Sequence, residues 1–271
     1  MTAHDHSHLS KDRSRLSFKL SSALRHRSRI LPYGRRWARD LRLGLRAGDH
    51  VSYYRAIMAS NVALSPEVAV GGSTHQSWLR QGQMQFDYLL AHGLEPGMRV
   101  LEIGCGNLRA GRLLVDYLEA GNYYGIDISP EILLAALDTV TAYDLQTKLP
   151  RLTFVQNLKL DFLPHDAFDV VHAHSVFSHS PIEVINECLR HVGRIMTPTG
   201  FFDFTFNATN GPDHQVLRED FYYRTEGLIA LAAGQGLEAR LMNDWGTLQS
   251  LQSKLRVTRL SSPSPIALRP E

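Results

Sequence analysis

Cysteine is nearly absent from this sequence: Cys105 and Cys188 are the two in 271 residues. They form neither a CxxC pair nor a disulfide framework, which points to a reducing compartment and a cytoplasmic protein. Long apolar runs are also missing. No stretch reaches the roughly 18 residues of a membrane-spanning helix, and the basic N-terminus lacks a signal-peptide core, so neither a membrane span nor secretion is expected. Net charge is small, +2, but residues 1–50 hold twelve Lys and Arg against four Asp and Glu, leaving the rest net acidic. Such an arm touches nucleic acid, anionic lipid or an acidic partner, or is simply a solvated helix face. With 44% hydrophobic residues the chain has the material for one large packed domain and an appendage.

What is present divides at about residue 82. Residues 1–82 read as a basic tail and helical cap or lid, and 83–271 as the main domain. His4, His6 and His8 lie in a tail; His-rich tracts bind metal, but a solvated tail accounts for this one as well. Leu16, Leu20, Leu24 and Leu31 recur near helical spacing, and 51–64 repeats the pattern before Ser65-Pro66. The leucines predict a lid or a subunit contact, hence a homo-oligomer, rather than stable nucleic-acid binding. From 83 onward, β-rich runs at 99–103, 123–128, 152–156, 168–173, 201–206, 238–241 and 255–259 alternate with helical stretches at 108–119, 130–141, 182–195 and 225–234. That alternation predicts an α/β, Rossmann-like domain with a mostly parallel seven-stranded sheet, the last two strands pairing as a hairpin.

The sharpest local signal is Val100-Leu101-Glu102-Ile103-Gly104-Cys105-Gly106-Asn107-Leu108-Arg109-Ala110-Gly111, an apolar strand entering a glycine-rich turn and then a helix. Glycine lets a ligand approach backbone, and in open α/β sheets ligands sit at the carboxyl ends of the strands. A dinucleotide fingerprint requires a third glycine where Arg109 stands, which argues against NAD or FAD. Asn107 is a candidate helix cap. Downstream, Tyr123-Tyr124-Gly125-Ile126-Asp127-Ile128 is a strand ending in an acid, placed to accept both ribose hydroxyls of an adenosine cofactor. Taken singly, each feature has a bland account: glycine turns are common, and an Asp after a strand often only caps a helix.

In this order and spacing the two segments resemble the first two motifs of class I S-adenosylmethionine-dependent methyltransferases. The resemblance extends from about residue 71 to 260, through Phe168-Asp169-Val170-Val171 and a Thr197-Pro198-Thr199-Gly200 turn that lacks the family's double glycine. It implies S-adenosylmethionine as cofactor. Glu102 would contact the methionine amino group, the backbone of Gly104, Cys105 and Gly106 would flank the cofactor, and Asp127 and Ile128 would hold the ribose side. Asn157 and Leu158 would lie beside the adenine, where relatives often carry an acid, and Ser175 would border the donor. Arg80, in the segment 71–83 before the fold, is a candidate partner for the methionine carboxylate.

The candidate reaction end is His172-Ala173-His174-Ser175-Val176-Phe177-Ser178-His179, after the fourth strand. A hydroxyl acceptor must lose its proton, and imidazole titrates near neutrality. His172 reads as a satisfied core histidine. His179 stands where relatives with a Ser-Val-Phe-Thr/Ser-His segment also have a histidine, so it is the favoured base, with His174 second. The histidine spacing is poor for zinc, so no metal ligands are assigned, while magnesium with Asp203, Asp213 or Asp244 stays open.

The Ser175 to His179 segment, with 104–111 and 121–127, further resembles bacterial glycan O-methyltransferases, including the mycobacterial methylmannose polysaccharide type. It implies methylation of a small-molecule or oligosaccharide hydroxyl. Tyr53, Tyr54, Trp78, Tyr222, Tyr223 and Trp245 are candidate sugar-stacking rings, with Asn207, Asp213, His214 and Asp244 as polar contacts, although most aromatics are core. A lipid or quinone methyltransferase, an RNA methyltransferase and a cofactor-binding protein without turnover are the alternatives. The chain lacks the Asn/Asp-Pro-Pro-aromatic and Pro-Cys motifs of many nucleic-acid enzymes.

Overall fold

The computed structural model describes residues 38–39, 41–45, 47–247 and 252–260. Two compact units emerge, Met1–Ala47 and Gly48–Glu271. In the first, backbone at 38–39 and 41–44 is helical; the histidine-rich tail and the leucine-spaced segment 11–31 lie outside the described residues. The second unit opens with three helices, each started by a side-chain cap. Asp49 accepts from the Ser52 amide to begin α1 (His50–Val62), Ser65 caps α2 (Pro66–Ala69), and Thr74 caps α3 (His75–Ala91). The segment 71–83 before the sheet is therefore largely helix, and the boundary expected after residue 82 falls inside α3.

The sheet follows: β1 (Val100–Ile103), β2 (Tyr123–Asp127), β3 (Arg151–Phe154), β4 (Phe168–Ala173), β5 (Met196–Ala208), β6 (His214–Val216), β7 (Asp220–Tyr223), β8 (Leu237–Leu241) and β9 (Ser253–Arg259). Helices α4 (Gly111–Tyr117), α5 (Pro130–Ala142), α6 (Ile182–Ile195) and α7 (Thr225–Ala233) connect them. Strands run in the order β3-β2-β1-β4-β5, all parallel, and β9 then pairs antiparallel with β5 and β8 antiparallel with β9. The closing hairpin is as expected, but nine strands replace seven. The addition is β6–β7, whose β7 pairs with the far end of β5 at Asn207 and Ala208.

Alternation along the strands sends two different chemistries to the two faces. Leu101, Ile103, Val171, Phe202, Phe204 and Val257 pack with Cys188, Leu189 and Val192 of α6 and Leu228 of α7. The opposite face meets α3, α4 and α5, and its centre is polar. Glu102 is in register with His172, His172 with Asp203, and Asp203 with Arg256, so one charged row crosses four strands. Asp203 and Arg256 form a two-bond ion pair, 2.7 Å for each bond, both buried.

Helix α3 reaches this face by close backbone approach. A Cβ on Gly82 would sit 2.1 Å from the Arg109 carbonyl oxygen, a rigid backbone atom. Gly82→Ala should therefore destabilise the fold by about 1–3 kcal/mol, the usual cost of overpacking. Urea unfolding measures this; an unchanged midpoint with an unchanged slope would refute the close approach.

Candidate functional site

The turn between β1 and α4 is shaped by two neighbours. Gly104 has φ +69°, and a Cβ there would meet the Val176 side chain at 2.4 Å, so only glycine fits unstrained. Its amide and that of Cys105 both donate to the Ile126 carbonyl. The Cys105 side chain turns inward, where a Cβ on Gly125 would meet its sulfur at 2.9 Å. Asp127, at the end of β2, then closes the turn: Oδ2 accepts from Gly106 N (3.0 Å) and Oδ1 from Ser129 N (2.9 Å). Burial pushes this carboxyl up to about 6, against the pull of the backbone amides. Each oxygen has a further lone pair for a ribose hydroxyl. Bare backbone beside a buried acid is a donor set that fits an adenosine cofactor.

Glu102 lies beneath the same turn and accepts from the Tyr123 hydroxyl at 2.5 Å. Burial raises its carboxyl to about 7, with the hydroxyl and Arg109 opposing. Arg109 is one residue that sequence reasoning missed. It is 8% exposed, donates to the Val70 carbonyl and to Gln81 Oε1 (2.7 Å), and so fastens α3 to the turn. Its signal in the sequence was the displaced third glycine. Arg80, expected beside the methionine carboxylate, is exposed on α3. Asn107 caps no helix; α4 starts at Gly111 with no side-chain cap, and Asn107 Oδ1 instead accepts from the indole of buried Trp78 at 2.9 Å. Trp78 is thereby a brace under the turn and not a ring on a cleft.

The adenine-side candidates separate. Ile128 packs against the core, Asn157 is exposed and bonds to the Lys159 amide, and Leu158 is buried with its amide donated to Glu187 at 2.8 Å. Glu187, on α6, is thus the acid at this loop, supplied from a distant segment. Ser175, just past β4, has φ +58°; its amide donates to Thr205 Oγ1 and its hydroxyl to Gln252 Oε1.

The three histidines have three environments. His172 and His174 point into the layer under α3, where burial, with Lys254 and Arg109 adding to it, pushes both pKa values well down. Both are therefore neutral and poorly basic. His179 sits in a 3-10 turn (Phe177–His179) at the sheet edge. Its Nδ1 is 2.9 Å from the Glu219 carbonyl and 3.3 Å from Asp220 Oδ1. A carbonyl only accepts, so Nδ1 carries the proton and Nε2 presents the lone pair. Tyr54 stacks on this ring at 5.6 Å, and His50 Nε2 lies 2.8 Å from the His179 carbonyl, so α1 closes over this histidine. Neither His50 nor Asp220 stood out in the sequence, being 129 and 41 residues away in the chain.

Of the sugar-contact candidates, Tyr222 and exposed His214 stack at 4.8 Å on the β6–β7 hairpin. Tyr223 is core, donating its hydroxyl to the Ser180 carbonyl, and Tyr53 is buried. Trp245 is fully buried, edge-on to Tyr88, while exposed Asp244 accepts from Tyr88 and His92. Among the described residues no group of three His, Cys, Asp or Glu is gathered to hold a metal ion, and no helix is long and apolar enough to cross a membrane.

A methyltransferase-domain family model matches residues 101–202, from β1 into β5. Among solved structures the chain is similar to magnesium protoporphyrin IX methyltransferase (ChlM) of Synechocystis PCC 6803 with bound SAM. The identity there is 18% and the TM-score 0.60, over 79% of this chain and 99% of that one. It is also similar to DhpI in its SAH complex, at 14% identity and a TM-score of 0.53, over 79% and 96% of the respective chains. At such identities the likeness is one of fold, and the bare turn with its buried acid is this chain's own. Residues 101–202 thus match a methyltransferase domain, and the fold is that of the SAM- and SAH-bound enzymes to which the chain is similar.

Proposed function

We propose that the chain transfers a methyl group to a hydroxyl of a sugar or oligosaccharide, a mannoside being the first candidate, with His179 as general base. The observation that carries the reading is the fixed tautomer of His179. With Nδ1 donating to the Glu219 carbonyl beside Asp220, Nε2 is left as a proton acceptor at the carboxyl edge of the sheet. The cofactor supplies an electrophilic methyl group on a sulfonium. The chain's own part is to hold that group through the turn backbone, Glu102 and Asp127, to orient the acceptor, to exclude water, and to take the hydroxyl proton on Nε2. His174 serves this role poorly, since its burial favours the neutral ring. The stacked His214 and Tyr222 rings support a sugar acceptor, because they offer a flat apolar face beside polar edges. Two buried thiols suit the cytoplasm.

Radiolabelled methyl transfer onto mannosides, other glycosides, lipids, quinones and RNA tests the acceptor class; label in RNA alone would end the sugar reading. On the best acceptor, His179→Asn should lower turnover by about 10²–10⁴-fold, the usual scale for losing a general base, with S-adenosylhomocysteine affinity unchanged. Full turnover in that variant removes His179 from the chemistry.

Cofactor affinity should also depend on pH. The Glu102 and Asp127 carboxyls are raised, to about 7 and about 6, and the cofactor's ammonium and hydroxyls donate to the ionised forms. Binding should tighten as pH rises from 5 to 8, with proton release. Calorimetry in buffers of differing ionisation enthalpy reads this directly, and proton uptake would contradict it. Asp127→Ala should cost about 1–3 kcal/mol of cofactor binding, the loss of charged hydrogen bonds.

A further inference from the structure

Four polar atoms in the layer between the sheet and α3 have no hydrogen-bond partner among the described residues: Lys254 Nζ, Trp245 Nε1, His172 Nδ1 and His174 Nδ1. They belong to one cluster. Lys254 Nζ lies 3.8 Å from the Trp245 ring centroid and 4.1 Å from that of Tyr88. Trp245 meets His174 edge-on at 5.5 Å, and His174 stacks on His172 at 6.3 Å. Lys254 and Trp245 are wholly buried.

Buried polar atoms are nearly always paired, so four together require an account. The aromatic faces stabilise the ammonium but accept no ordinary hydrogen bond from it. The nearby acids are engaged elsewhere: both Asp203 oxygens bond to Arg256, and Asp244 accepts from Tyr88 and His92. The layer holds Arg109, Lys254 and Arg256 against Asp203, Asp244 and Glu102, yet Lys254 Nζ hydrogen-bonds to none of these carboxylates. An ammonium and an indole N–H only donate, and an imidazole nitrogen does either. What completes the cluster is an acceptor carrying negative charge. The cluster comes nearest the surface at the carboxyl edge, where His174 and Ser175 are partly exposed and Thr205, the register partner of Lys254, bonds to the Ser175 amide.

We propose that this cluster is the seat of a carboxylate borne by the methyl acceptor, held by Lys254, Trp245 Nε1 and His174, so that the acceptor is a sugar acid rather than a neutral sugar. The inference rests on methyl transfer to a sugar hydroxyl at this edge of the sheet.

The probe is sodium acetate, titrated by calorimetry into the full chain at constant ionic strength set with sodium chloride, with and without saturating S-adenosylhomocysteine. Acetate should bind saturably in both conditions. Affinity should fall at least tenfold in Lys254→Met, whose side chain fills the aromatic slot without charge, and measurably in Trp245→Phe, which deletes the unpaired N–H and keeps the packing. Melting curves confirm that each variant folds, and should Lys254→Met fail to fold, Trp245→Phe carries the test. Absence of saturable acetate binding, or equal binding by the folded variants, overturns the seat and leaves buried water as its occupant. Displacement of acetate by S-adenosylhomocysteine overturns the acceptor assignment, since the donor's own carboxylate then takes the place. The two readings fail separately: loss of S-adenosylhomocysteine binding sinks methyl transfer, whereas loss of acetate binding sinks only the carboxylate seat.

Discussion

The Asp127 carboxylate holds three pieces of backbone in one place: the end of β2 that carries it, the turn after β1 through the Gly106 amide, and the start of α5 through the Ser129 amide. A charged acceptor between two amides is a strong link, but burial works against its ionisation, so the link and the charge rise and fall together. The turn it fixes then places Arg109, which fastens to Val70 and Gln81 and so seats α3 over the sheet. One carboxylate thereby sets the turn directly and the position of a neighbouring helix at one remove.

That helix covers an unusual surface. A sheet centre lined by Glu102, His172, Asp203 and Arg256 gains little from the hydrophobic effect, and a buried ion pair is weak evidence of stability. Its value lies in register. Slipping any of these strands by one residue would turn its charge toward the face where Phe202, Phe204 and Val257 pack with α6 and α7, so the row specifies the alignment of four strands at once. The same row delivers titratable groups to the layer under the 104–106 turn.

Much of this architecture was legible in the sequence because it rests on local pattern. Strand-helix alternation, the glycine turn and the acid ending β2 are short-range signals, and they located the sheet and the turn between β1 and α4. The β6–β7 hairpin was not legible: β6 is three exposed residues with no buried alternation to read. Helix α3 was hidden for a related reason, since Gln81 and Gln85 make it polar on its inner face too, where they meet Arg109 and His172. Arg109, Glu187, Lys254 and Asp220 were missed because their meaning comes from partners far along the chain. His179 was singled out by position, yet what fixes its ring, the Glu219 carbonyl and the cover of Tyr54, exists only after β7 and α1 are in place.

The two cysteines add a consequence of burial. A thiol reacts as its thiolate, and burial raises the pKa of both Cys105 and Cys188, leaving them shielded and protonated in the native state. They nevertheless sit in different parts of the molecule, one in the turn and the other in the apolar layer of α6. An alkylating reagent therefore finds Cys105 when the turn loosens, and Cys188 only when α6 leaves the sheet. The pair forms a built-in chronometer, one hand for local opening of the turn and the other for the collapse of the domain.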